Sequence, residues 1–141
     1  WVDVGVAEIG DRQSVTPSPD GLPTLKGERN ITNDDVISET PVRLKGWKTG
    51  AVRDAVIYAR NMDITIEYED GLHDMEGLIA ITQREGSGTL IAPTREGDSG
   101  ALVEDRDGNA IGMVVAGSDI LSFVIPINEV LTAFNTEPQT A

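Results

Sequence analysis

The sequence predicts an all-β domain, an antiparallel β-barrel followed by one C-terminal helix. Apolar and polar residues alternate in short runs, turn residues separate those runs at roughly ten-residue intervals, and helical spacing is confined to the end of the chain. Barrels and sandwiches are built from many short strands of this kind, each burying one row of side chains.

The elements follow in order. Val2, Val4 and Val6 alternate with Asp3, Gly5 and Ala7, which sends one row inward and the other outward. Across residues 10–41 the period dissolves: Pro17, Pro19, Pro23, Gly21 and Gly27 sit among Ser, Thr, Asn and Asp, so the stretch reads as a surface connection that links rather than packs. Strands are predicted over residues 42–47, 51–60 and 64–69, the last with Ile64, Ile66 and Tyr68 on one face and Thr65, Glu67 and Glu69 on the other. Asp70-Gly71 supplies a hairpin turn, residues 77–83 another strand, and Gly86-Ser87-Gly88 a break before residues 90–92. Residues 101–104 and 110–116 flank Asp105-Arg106-Asp107-Gly108-Asn109, whose Asp-Gly step suits a tight hairpin. After a strand at 123–127, a helix near residues 128–134 is expected to pack through Val130, Leu131 and Phe134, which with Ile127 form one apolar stripe.

Composition narrows the function. The 141 residues are 39% hydrophobic, enough for one core. With 24 acidic against 11 basic side chains the net charge is -13, so neither nucleic acid nor an anionic membrane is an expected partner. No apolar run approaches the roughly 20 residues that cross a bilayer, and the first residues lack a signal-peptide pattern, so a soluble domain is expected. The absence of cysteine removes disulfides, thiolate metal sites and thiol nucleophiles, and fits either a reducing cytosol or a cysteine-free bacterial secreted protein. His73 is the sole histidine. Because Trp1-Val2-Asp3-Val4-Gly5-Val6 reads as the inside of a strand, a fragment or processed piece is expected.

Chemistry concentrates at Glu96-Gly97-Asp98-Ser99-Gly100-Ala101-Leu102-Val103. A serine hydroxyl is a poor nucleophile and needs a base together with N–H groups aimed at the oxyanion formed on attack. Glycines on both sides of Ser99 let the N–H groups of Gly97 and Ser99 converge on one point. Gly-Asp-Ser-Gly also occurs in ordinary turns, so the tetrapeptide alone leaves both readings open.

Its context is more specific. Gly-Asp-Ser-Gly, then a strand, an Asp-Gly hairpin, Ile111-Gly112-Met113-Val114-Val115-Ala116-Gly117-Ser118 and Phe123-Val124-Ile125-Pro126-Ile127 resembles the trypsin-like serine peptidases. Val42-Arg43-Leu44-Lys45-Gly46-Trp47-Lys48-Thr49-Gly50 is similar to the strand opening the second barrel of that family, in the Lys-x-Gly-x-x-Thr-Gly version of bacterial relatives. The resemblance implies a strand of the first barrel at residues 1–10, an interdomain connection at 11–40 and the second barrel with its terminal helix at 41–141. It also implies a serine endopeptidase acting through an acyl-enzyme on Ser99, with Gly97 and Ser99 as the oxyanion hole. Val2-Asp3-Val4-Gly5-Val6-Ala7 is similar to the family's strand carrying the acid that orients the histidine, which makes Asp3 the candidate; otherwise Asp3 is an acid at a strand edge.

One departure matters. The family's histidine precedes its aspartate, and only Trp1 and Val2 precede Asp3 here, so the general base is expected on an N-terminal barrel outside this chain. His73 follows Asp3 in a predicted turn and is not carried over, since the Asp, His, Ser order belongs to an unrelated fold. By the same resemblance the substrate slot is walled by residues 91–96, Pro93 and Thr94 among them, on one side and by Val115, Ala116 and Gly117 on the other, with Ser122 at its floor. Proline where a basic-specific member has aspartate points to small or apolar substrate side chains. Neither metal nor cofactor is expected: Asp105 to Asn109 starts like a calcium loop but lacks the later glutamate, and Asp70, His73, Asp74 and Glu76 read as solvated turn residues. A polypeptide is the expected substrate. Two other readings remain, a non-catalytic trypsin-like binding module and a structural protein of phage or virus type.

Overall fold

A computed structural model describes residues 21–134. In chain order the elements are β1 (Gly27–Glu28), α1 (Asn33–Ile37), β2 (Pro41–Lys45), β3 (Val52–Tyr68), β4 (Gly71–Glu85), β5 (Thr89–Ile91), β6 (Leu102–Asp105), β7 (Asn109–Gly117), β8 (Ser122–Pro126) and α2 (Ile127–Phe134). Strands β7, β6, β2, β3 and β4 are neighbours in that order, and β8 pairs with both β4 and β7, so these strands close into a ring. Every pairing within the ring is antiparallel. The all-β class, the closed antiparallel arrangement and the terminal helix are those the sequence predicts.

The ring encloses a core of Val42, Leu44, Ala55, Ile57, Ile79, Ile81, Val103, Ile111 and Val124, drawn from alternate positions of all its strands. Full burial of side chains such as Leu44, Ile57 and Ile81 is worth about 1.5–3 kcal/mol each. A second cluster lies on the outer face, where Met75, Leu78, Val115 and Ile125 meet Val130 of α2. Ile127 joins a third cluster with Leu25 and Ala110, and Leu131 packs against it. Phe134, by contrast, is 38% exposed and does not share the anchoring role expected of it.

Three further details differ from the sequence reading. Packing begins before residue 41: β1 pairs in parallel with β7, Gly27 opposite Asn109, and Leu25 and Ile31 are buried. Helix α1 follows from its start, where Asp35 turns back to accept from the N–H (2.9 Å) and hydroxyl (3.1 Å) of Thr32. Second, the two strands predicted over 51–60 and 64–69 form one 17-residue strand. Its pairing with β4 shifts register around residues 57–64, where Asn61 takes a left-handed φ of 54°, so bulges absorb the break in alternation. Third, His73 is not in a turn; it lies on β4 opposite Ile66, and the chain reverses at Glu69-Asp70.

Candidate active site

Ser99 lies on the connection between β5 and β6, beside β7. The chain turns sharply there because Gly97 (φ 96°) and Gly100 (φ 87°) take left-handed backbone that a side chain would strain. Hydrogen bonds fix the turn: Asp98 N–H donates to Arg95 O (3.0 Å), Ala101 N–H to Asp98 O (3.0 Å) and Gly100 N–H to Val114 O (2.8 Å). The N–H groups of Gly97 and Ser99 enter none of these bonds. Ser99 is exposed, and its hydroxyl donates to Val115 O at 3.5 Å, a long contact that leaves the oxygen available.

The side chain of Asp98 points away from solvent and is 1% exposed. Its carboxylate accepts from the N–H of Thr49 (2.8 Å), the N–H of Arg95 (3.0 Å) and the hydroxyl of Thr49. Burial pushes this carboxyl up, but the Thr49 hydroxyl and the N–H groups of Arg95, Thr49 and Lys48 outweigh it and hold the group below its ordinary value. Asp98 is thus an ionised internal clamp joining the Ser99 turn to the loop after β2, and it has no role in the sequence reading. The signal was present as Lys-x-Gly-x-x-Thr-Gly: Gly46 makes room for the carboxylate and Thr49 binds it.

A cleft of about 630 Å³ opens beside Ser99 and is lined by Thr94, Ala116 and Gly117 together with Arg95, Glu96 and Asp119. Of the residues expected to form the slot, Thr94, Ala116 and Gly117 reach it. Pro93 and Val115 are buried behind the walls, Val115 contributing its carbonyl to Ser99. Ser122 is fully buried and acts through Thr94, accepting from its N–H at 3.3 Å and sharing a hydrogen bond with its hydroxyl at 2.6 Å. The lining is therefore mixed rather than apolar. Arg95 and Glu96 belong to the 91–96 wall that the resemblance implies, whereas Asp119 was missed because it lies on the turn between β7 and β8, beyond the wall strand.

His73 has no place here. It hydrogen-bonds Asp70 at 2.7 Å, stands edge-on to Tyr68, and lines neither cleft that Ser99 borders. Asp3 lies outside the described residues. Asp105, the start of the calcium-like run, is instead satisfied within its hairpin by the N–H groups of Asp107 (2.9 Å) and Asn109 (2.8 Å) and by the Arg29 guanidinium.

The sequence matches no family model and no curated protein. Solved structures do resemble it. Thermobifida fusca Protease A superimposes with a TM-score of 0.63 at 24% identity, covering 90% of this chain and 60% of that one. Nocardiopsis Protease gives 0.58 at 21% identity, covering 82% and 54%. Cellulomonas bogoriensis chymotrypsin gives 0.58 at 24% identity, covering 83% and 57%. The chain therefore spans little more than half the length of these bacterial enzymes, and across that span it has the fold of the chymotrypsin-like serine proteases.

Proposed function

We propose that this chain is the nucleophile-bearing barrel of a serine endopeptidase. The observation that carries the reading is the Ser99 turn: an exposed hydroxyl flanked by two left-handed glycines, with the Gly97 and Ser99 N–H groups outside the turn's own hydrogen bonds. In the reaction Ser99 Oγ attacks the scissile carbonyl while a histidine takes its proton, and the Gly97 and Ser99 N–H groups stabilise the oxyanion. The histidine then protonates the departing amine, leaving an acyl ester on Ser99 that water hydrolyses by the same steps in reverse order of partners. That histidine is supplied by an N-terminal barrel, in the same precursor or as a separate chain, and Asp3 orients it. The polypeptide enters between Thr94 and the Ala116-Gly117 wall, with Ser122 holding Thr94 and Pro93 and Val115 backing the slot.

Since His73 is remote in its contacts from Ser99, the isolated chain has no base and is nearly inactive in this reading. The same observation favours a second reading, a non-catalytic module that keeps the barrel for protein recognition. Labelling by a fluorophosphonate separates them, comparing this chain, a version extended upstream through the histidine-bearing barrel, and Ser99→Ala in both. Ser99-dependent labelling of the extended protein alone is expected. No labelling of it overturns the peptidase reading in favour of the module, and strong labelling of the isolated chain overturns the external base.

A further inference from the structure

Three of the eight arginines, Arg53, Arg84 and Arg106, line one cleft of about 420 Å³ on a chain of net charge -13. It shares no lining residue with either cleft that Ser99 borders. Its origin lies in the sheet. β3 and β4 stay paired as far as Val56 and Thr82; from Gln83, opposite Ile91, β4 runs with β5, while residues 52–55 of β3 remain with β2. A wedge opens where the two strands part, bridged by the Gln83 amide, which donates to Asp54 O at 2.8 Å.

The fold satisfies only part of the charge gathered there. Arg84 donates through Nε to Glu39 Oε1 at 2.8 Å, and Asp54 is taken by Arg43 at 2.9 Å. The guanidinium groups of Arg53 and Arg106 bond to nothing among the described residues, and of the acids lining the wedge only Glu85 is left to offset them. With 24 acidic side chains in the sequence, two cations left without a carboxylate are not a requirement of folding. Arg106 follows Asp105, which faces Val42, so it stands beyond Pro41; Arg53 precedes Val56, and Pro41 faces Val56. The two cations thus flank an apolar step.

We propose that this wedge is a docking site for an acidic segment of a partner polypeptide, in which carboxylates of two separate residues meet Arg53 and Arg106 and an apolar side chain between them covers Pro41 and Val56. A guanidinium holds a carboxylate through paired N–H donors, which an ammonium cannot do. Arg53 lies on β3 and Arg106 after β6, with β2 between them, so the pair matches charge spread along an extended segment rather than one compact dianion. The screening length at physiological salt is about 8 Å, so acids elsewhere on the chain act weakly here and the arginines set the preference. The proposal stands apart from the peptidase reading, since no residue of the wedge takes part in that chemistry.

The test needs no catalysis. The Ser99→Ala protein is titrated by calorimetry at physiological salt with two capped pentapeptides, Glu-Glu-Leu-Glu-Glu and Gln-Gln-Leu-Gln-Gln. Saturable binding of the first is expected, with Kd about tenfold lower than for the second. Arg53→Gln combined with Arg106→Gln should remove that preference. Lys26→Gln combined with Arg60→Gln, the same change of net charge outside the wedge, should keep it. Because the Arg53 and Arg106 guanidinium groups bond to nothing within the fold, their double variant should melt no lower than this control, so lost binding is not lost folding. Equal Kd for the two peptides, or an equal loss in both double variants, overturns the site. Inorganic phosphate that displaces the Glu peptide with a lower Kd than the peptide's own makes the wedge a phosphate site and overturns the polypeptide occupant. Failure of Ser99 labelling in the extended protein removes the peptidase reading and leaves this site standing.

Discussion

A Cβ placed on Gly46 would lie 2.2 Å from Oδ1 and 2.7 Å from Cβ of Asp98, so the carboxylate beneath the Ser99 turn occupies space that only glycine leaves. Two segments distant in sequence are thereby locked to each other: the loop after β2 cannot change at Gly46 without moving the residue before the serine.

Gly46→Ala should therefore act at a distance. Overpacking of this kind costs roughly 1–3 kcal/mol, and here the shift falls on Asp98 rather than on a flexible side-chain tip. Urea unfolding should show the loss, and in the extended protein the labelling rate of Ser99 should fall with it. An unchanged rate with reduced stability would separate the clamp from the reactivity of the serine.

Stability should drop in acid. Asp35, Asp98 and Asp105 are each held below the ordinary 3.8: burial pushes all three up, and hydrogen bonds from Thr32 and Thr40, from Thr49 and Arg95, and from Asn109 and Arg29 respectively outweigh it. A depressed carboxyl stabilises the folded state above its unfolded value, and that contribution is lost as pH falls through the folded value, because the unfolded chain takes up protons first. Unfolding midpoints should accordingly decline between about pH 5 and pH 3, and Asp98→Asn should lower stability at neutral pH while flattening that decline.

Ser122→Ala removes the partner of two Thr94 groups, its N–H and its hydroxyl, in a site with no solvent exposure at the serine. Leaving such groups unsatisfied costs about 1–3 kcal/mol, which thermal unfolding should report. Ser122→Thr keeps the hydroxyl but adds a methyl to a filled site, so it should restore only part of the stability.

His73→Gln should leave Ser99-dependent labelling of the extended protein unchanged. The histidine bonds Asp70 and stands edge-on to Tyr68 at the β3–β4 hairpin, and it lines neither cleft that Ser99 borders. A marked drop in labelling would make His73 the base and redraw the site.

Much of the barrel was legible because Val42, Leu44 and Ile64, Ile66 carry the period of two that burial of one face demands. Elements with too few residues to show a period were not. β1 is two residues long and gains its place from β7, while α1 spans five residues and packs Val36 against the core, so both are too short to show an apolar period in the sequence. Thr32-x-x-Asp35 was the available sign of a helix start. At the site, the serine and its glycines could be read locally, since the turn is made by adjacent residues. The buried clamp of Asp98 and the place of Asp119 in the cleft arise where separate loops meet, which no spacing within one segment records.

The strand that closes the ring is the last one among the described residues. Until β8 inserts between β4 and β7, each of those strands keeps an unpaired edge, and the core has a gap at Val124. On the ribosome, everything through Gly117 therefore emerges with two open edges, and the ring cannot close before Pro126 has left the exit tunnel. Pairing such as Ile79 with Val124 also joins residues far apart in the chain, which slows closure. A nascent chain stalled just short of Ser122 is thus the species most exposed to edge-to-edge association.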